Sequence, residues 1–179
     1  MNRLVCLAII CLALPFTAAA QDTSANPVST QLREVLNSEA KNLVAAAQEF
    51  PVDKYSYHPT PGGMTVGRTM AHIAQVNSFA CSKIGGATPP PVDSKIGEMD
   101  KDKLVAQLQG SMDFCKQAFA GLTDAKLGEV IPWFGGRKMT RFGVAMEVTN
   151  DLIDHYATLS VYLRLNDILP PTARPGSTK

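Results

Sequence analysis

Three residues have the types and spacing of a metal-binding site. Asp151 and His155 are four residues apart in a segment with helical periodicity. Four residues turn only about 40° around an α-helix, so the two side chains point the same way. His72 lies in an earlier helical segment, close to the side expected to face the other helices. If these segments are neighbours, two histidines and one carboxylate could converge on one metal and leave coordination positions open.

Asp151 is the unusual member of this set. A carboxylate moved from water into a helical core is costly unless it gains a charge partner, several hydrogen bonds or a metal. The segment offers no obvious Lys or Arg on the same face. The ligand types suit zinc, nickel, iron or manganese and do not choose among them. Spacing alone also allows a hydrogen-bonded core histidine beside a solvated Asp151.

Two further residues are weaker candidates. Glu147 lies four residues before Asp151, where it is either an extra ligand or part of a solvated helix face. His58 lies in a loop between Tyr57 and Pro59 and is expected at the surface. No GxSxG, P-loop, GxGxxG or HExxH motif competes with the metal hypothesis. No residue is singled out as catalytic.

Four segments with helical periodicity, separated by Pro and Gly, must position these side chains. The predicted helices run from about Pro27 to Phe50, from Thr65 to Gly85, from Asp100 to Gly121, and from Thr140 to about Ile168. Asn26, Thr65, Asp100 and Thr140 are the expected N-caps. The stretch around Gly135 and Gly136 predicts a short hairpin or ordered loop. The sequence therefore predicts an all-α fold, a four-helix bundle with long connections.

The last predicted helix shows which side faces the core. Its apolar positions recur every three or four residues, as expected for a buried helical stripe. His155 is one of them, and the full set is Val144, Val148, Leu152, His155, Leu159 and Tyr162.

The first twenty residues have the pattern of a secretory signal peptide. One basic residue, Arg3, precedes an apolar run, and small residues end the segment before Gln21. The run is too short to cross a bilayer. We therefore expect a signal peptide over residues 1–20, a single domain over residues 21–179, and a secreted or periplasmic protein with no membrane attachment after cleavage.

Charge and cysteine content narrow the choice of function. Removing Arg3 from the 17 basic residues leaves 16 against 16 acidic residues, so the mature chain carries no formal net charge. This balance argues against a nucleic-acid partner. Cys81 and Cys115 remain after cleavage. In an oxidising compartment they either form a disulfide or stay as two buried thiols, and the sequence leaves both open.

Two stretches of the chain resemble the DinB-like (damage-inducible) family. DLIDHYATLSVYLRLNDILPP is similar to the end of the family's fourth helix, which closes in an apolar run and a double proline. MTVGRTMAHIAQVNSF is similar to its second helix, in which a capping Ser or Thr precedes a histidine by seven residues. GGRKMTR, just before the fourth helix, is similar as well. The resemblance extends over nearly the whole mature chain.

The resemblance implies a DinB/YfiT-like four-helix bundle with a long crossover, a homodimer, and a metal site of three histidines. His72 and His155 match two of those ligands. Asp151 stands where the family usually has a histidine, which would alter the metal preference. Zinc, nickel, iron and manganese all remain candidate cofactors.

The resemblance also implies a function. Some relatives are thiol-dependent transferases or isomerases, and others are described as hydrolases. Export counts against a cytosolic thiol cofactor, which leaves metal-assisted hydrolysis or simple binding. The alternative is a non-catalytic module that binds a small molecule or dimerises and has a degenerate metal site.

Overall fold

The computed structural model describes residues 25–97 and 99–176. The four helices are α1 (Pro27–Glu49), α2 (Val66–Gly85), α3 (Lys101–Ala120) and α4 (Arg141–Arg164). Strands β1 (Val130–Pro132) and β2 (Lys138–Thr140) form an antiparallel hairpin between α3 and α4. The predicted all-α bundle is confirmed, and so is the hairpin. The predicted signal peptide lies outside the described residues.

The helices form a bundle in which α2 packs against both α3 and α4, and α1 packs against the same two helices. The start of α2 lies beside the end of α4, because the Tyr162 hydroxyl donates to the Met64 carbonyl at 3.3 Å. At the opposite end, Arg141 at the start of α4 donates to the Ile84 carbonyl. Helices α2 and α4 are therefore antiparallel.

Helices α2 and α3 instead run parallel, which requires a long connection between them. Residues 86–100 form this crossover and return the chain to the start of the bundle. Lys101, the first residue of α3, donates from its ammonium group to the Phe50 carbonyl at the end of α1 at 2.7 Å. This contact fixes α3 beside the end of α1. The long crossover expected from the sequence is confirmed.

Local capping explains where two helices begin and where one ends. The Thr65 hydroxyl accepts from the Arg68 N–H at the start of α2, and the Thr140 hydroxyl accepts from the Gly143 N–H at the start of α4, both at 3.1 Å. Gly86 ends α2 with a φ of 73°, a left-handed conformation that glycine adopts without steric cost. The predicted caps Thr65 and Thr140 are confirmed, and so is the predicted end of α2 at Gly85.

The predicted cap of α1 is wrong. The Asn26 side chain does not cap its own helix; its carbonyl oxygen accepts from the Asp124 N–H at 2.8 Å. The Asp124 carboxylate in turn accepts from the N–H groups of Val28 and Ser29 at 3.1 and 2.8 Å. A residue that is distant in sequence thus satisfies the first N–H groups of α1. Periodicity could not reveal this cap.

The side-chain cap predicted at Asp100 and the predicted end of α4 also differ from the structure. Asp100 makes no capping hydrogen bond, and its carboxylate pairs with the Lys103 ammonium group at 2.7 Å. Helix α4 ends at Arg164, short of the predicted Ile168. Asp167 has a left-handed φ of 58°, and the Ile168 N–H closes back onto the Leu163 carbonyl at 3.0 Å. This turn ends the helix before Pro170 is reached.

The core lies between the four helices and matches the predicted stripe of α4. All six positions of that stripe are buried: Val144, Val148, Leu152, His155, Leu159 and Tyr162. The largest fully buried side chains include Tyr55, Phe50 and Phe119. Within the described residues, no helix combines the length and apolar character needed to cross a membrane.

A disulfide links the two parallel helices. Cys81 of α2 and Cys115 of α3 are bonded, with their Cα atoms 5.1 Å apart and both side chains fully buried. Of the two states that the sequence left open, the structure has the bridge. It joins the helices near the ends from which the crossover and the hairpin segment depart.

Removing this disulfide should lower the stability of the bundle. The bond closes a loop of 34 residues, and such a loop contributes about 3–4 kcal/mol by restricting the unfolded chain. The double variant Cys81→Ala/Cys115→Ala is expected to unfold at a lower urea concentration, and dithiothreitol should lower only the wild-type midpoint. Equal midpoints for oxidised wild type and the double variant would contradict this expectation.

Candidate metal centre

The structure brings together the three residues singled out in the sequence. His72 of α2 and Asp151 and His155 of α4 each present a ligand atom, and these atoms lie within 4.8 Å of one another. His155 Nε2 is 3.4 Å from Asp151 Oδ1. The rings of His72 and His155 have centroids 5.1 Å apart and planes inclined by 76°. The predicted convergence of α2 and α4 at these residues is therefore observed.

The cluster forms because α2 and α4 are held in register at both ends. Arg141 ties the start of α4 to the end of α2, and its guanidinium is itself held by Glu129 at 2.7 Å. Tyr162 ties the end of α4 to the segment just before α2. Because the helices are antiparallel between these two contacts, His72 meets the turn of α4 that carries Asp151 and His155.

The carboxylate of Asp151 is incompletely satisfied. Its Oδ2 atom is buried and has no hydrogen-bond partner, while Oδ1 faces the His155 ring. The Asp151 side chain as a whole is 25 % exposed, whereas that of His155 is 8 % exposed. A buried carboxylate oxygen without a donor is unfavourable. Apart from His155, which is cationic only when protonated, no described residue forms an ion pair with this carboxylate, and a bound cation would be a suitable partner for it.

The spacing of the cluster suits a divalent metal. Two ligands of a tetrahedral zinc ion, each about 2.1 Å from it, lie about 3.4 Å apart. The distance between His155 Nε2 and Asp151 Oδ1 already has this value. The ligand atom of His72 lies within 4.8 Å of the other two. The residues present therefore fit a metal held by two histidines and one carboxylate.

A cavity of about 290 Å³ opens beside His72 on the outer face of α2. Arg68 and Gln75 come from the same face of the helix, and Ser94 comes from the crossover. The described residues that line it are Met64, Arg68, Ala71, His72, Gln75, Ser94 and Ile96. The sequence analysis missed Arg68 and Gln75. They lie four residues before and three residues after His72, a spacing that already places them on the same side of a helix.

The weaker candidates lie outside the cluster. Glu147 is exposed and is not part of the ligand group. His58 is exposed, and its Nδ1 lies 2.8 Å from the Thr60 carbonyl oxygen, which confirms the expected surface position. Tyr162 is buried, and its hydroxyl proton is engaged by the Met64 carbonyl. Tyr162 therefore orders the entry to α2 and is poorly placed to supply a proton.

Sequence comparison identifies the family. The sequence profile of the DinB superfamily matches residues 36–159, which is more than half of the chain and includes all three clustered residues. The chain therefore belongs to the DinB superfamily. A comparison with curated proteins found no match.

Solved structures share the fold at low sequence identity. A DinB-like protein from Bacillus cereus is 17 % identical with a TM-score of 0.68, covering 83 % of this chain and 97 % of that one. A DinB-like protein from Bacillus subtilis is 21 % identical with a TM-score of 0.61, covering 76 % and 92 %. A mycothiol-dependent maleylpyruvate isomerase is 14 % identical with a TM-score of 0.56, covering 73 % of this chain and 60 % of its own.

The unsatisfied Asp151 carboxylate should cost stability in the metal-free protein. Asp151→Asn keeps the shape of the side chain and removes the buried charge, so it is expected to stabilise the metal-free fold by roughly 1 kcal/mol. Urea unfolding in chelator measures the difference. Asp154→Asn, on an exposed position of the same helix, should leave the midpoint unchanged. A destabilised Asp151→Asn variant would show that the carboxylate has a favourable partner without metal.

Proposed function

We propose that the chain is an exported protein that binds a divalent metal through His72, Asp151 and His155 and acts as a metal-assisted hydrolase or transferase. The buried and unpartnered Oδ2 of Asp151 is the observation that carries this proposal. It lies beside two imidazoles with ligand-like spacing. The fold shared with a mycothiol-dependent isomerase supports an enzymatic use of the same bundle.

Each residue of the site has a distinct role in this proposal. His72, Asp151 and His155 would hold the metal, and His72 also lines the neighbouring cavity, from which a substrate could approach the site. A divalent metal supplies Lewis acidity, which polarises a substrate oxygen and lowers the pKa of a coordinated water or thiol. Because Asp151 is anionic, it offsets one of the two metal charges, which a third histidine would not. The remaining positive charge favours an anionic or strongly polar substrate.

The alternative is a non-catalytic module with a degenerate site. Such a module would be favoured by an Asp151 carboxylate satisfied by a tyrosine or the backbone, with no cavity near the ligands. The described residues provide neither partner for Oδ2, and a cavity borders His72. The arrangement therefore supports metal binding over a decayed site.

Metal content tests the proposal directly. The exported wild-type protein, purified without chelator or metal-affinity resin, is expected to carry about one zinc, nickel, iron or manganese ion per chain by mass spectrometry. His72→Ala should lower metal affinity by at least about a hundredfold, since even the loss of a residue that only orients a ligand costs 10–100-fold. His155→Ala should do the same.

His58→Ala is the matched control for these variants. It removes an exposed histidine outside the cluster and should retain full metal content. Because His155 is buried and its replacement could disturb the core, the half-buried His72 is the more informative position, and circular dichroism checks the fold of each variant. Metal-free wild-type protein after incubation with all four ions would rule out the metalloenzyme and favour the binding module.

The disulfide supports the export part of the proposal. Structural disulfides persist in oxidising compartments and are rare in the cytosol, and Cys81 and Cys115 are bonded in the core. Expressed in a Gram-negative host, the full chain is expected in the periplasmic fraction, with a mature N-terminus near Gln21 by mass spectrometry. Alkylation under denaturing conditions should find no free thiol there. An uncleaved chain in the cytosol with all four of its cysteines as free thiols would contradict export.

A further inference from the structure

On the outer face of α2, next to the candidate metal centre, lies an arginine that has no ion-pair partner among the described residues. Arg68 lies one helical turn before His72, and its guanidinium makes no hydrogen bond or ion pair with the described residues. Both side chains line the same cavity. An arginine at this position is not needed for the fold, because its side chain is exposed and only its backbone N–H takes part in the cap of α2.

The remaining cavity lining suits a small anion. Gln75 and Ser94 add neutral hydrogen-bonding groups, and none of the described residues that line the cavity is acidic. With a divalent metal, the single negative charge of Asp151 leaves one positive charge at the centre, and Arg68 adds a second. The cavity therefore has a net positive environment within a neutral mature chain.

We propose that this cavity is the substrate subsite of the metal centre and binds the carboxylate of a small 2-hydroxy or 2-oxo acid. This inference rests on the proposed metal site. The planar guanidinium of Arg68 would hold the carboxylate by paired hydrogen bonds, while the neighbouring hydroxyl or carbonyl oxygen reaches toward the metal. Arg68 and His72 lie one helical turn apart on the same side of α2, so a small ligand in this cavity can reach both side chains.

A carboxylate fits the lining better than a phosphoryl group. A phosphate dianion usually collects several cationic or backbone donors, whereas Arg68 is the one arginine or lysine among the described residues that line this cavity. The apolar side chains of Met64 and Ile96 close the cavity next to the start of α2 and limit the size of the ligand.

Cobalt(II) provides a readout that does not depend on turnover. The wild-type protein is loaded with cobalt(II), its stoichiometry is measured, and its visible spectrum is followed during titration with glycolate and with the neutral analogue glycolamide. Glycolate is expected to change the spectrum saturably and to bind at least about tenfold more tightly than glycolamide. Arg68→Gln should weaken glycolate binding by about tenfold and leave glycolamide binding unchanged.

Two variants separate a specific contact from general electrostatics. Arg68→Lys keeps the positive charge but loses the planar guanidinium that can form paired hydrogen bonds. Its affinity for glycolate should therefore lie between those of wild type and Arg68→Gln. Lys41→Gln removes one charge from an exposed position of α1 and should bind glycolate like wild type. Full cobalt loading with equal glycolate affinity in wild type and Arg68→Gln would overturn the carboxylate subsite alone. Failure to bind cobalt would overturn the metal centre and this subsite together.

Discussion

The proposed function depends on one structural constraint, the burial of a carboxylate between α2 and α4. Asp151 interrupts a helix pair that could have been closed with apolar residues, and one of its oxygens has no donor. Such an arrangement persists only if the surrounding packing holds it in place. Here Arg141 and Tyr162 anchor the two ends of the pair, so the unfavourable group lies between two fixed points.

The rest of the bundle serves to hold α2 in position. This helix is fixed by the α4 contacts on one side and by the disulfide to α3 on the other. It also carries His72 and the exposed face that includes Arg68 and Gln75. A helix held on two sides can present ligands with little freedom, which is what a site with defined geometry requires.

The sequence predicted the parts of the fold that depend on local chemistry. Thr65, Thr140 and Gly86 mark helix ends because their own side chain or backbone makes the cap, and the buried stripe of α4 follows from its spacing. The cap of α1 was missed because Asp124 supplies it from a distant segment. The three clustered residues were found because two share a helix face and the third, His72, lies near the core-facing side of another predicted helix. Arg68 was missed because, without the crossover in place, an exposed arginine looks like any solvated residue.

The connecting segments, as well as the helices, contribute residues to the cavity beside His72 and to an aromatic contact further along α2. Ser94 and Ile96 of the crossover border one end. Two turns further along α2, the Phe79 ring contacts Trp133 of the hairpin segment, with a centroid distance of 5.4 Å and ring planes inclined by 49°. Neither connection carries any of the three clustered residues. These two loops can therefore be lengthened, shortened or exchanged during evolution while the helical framework stays unchanged. Members of one superfamily could in this way diverge in ligand specificity and keep the three clustered positions in place.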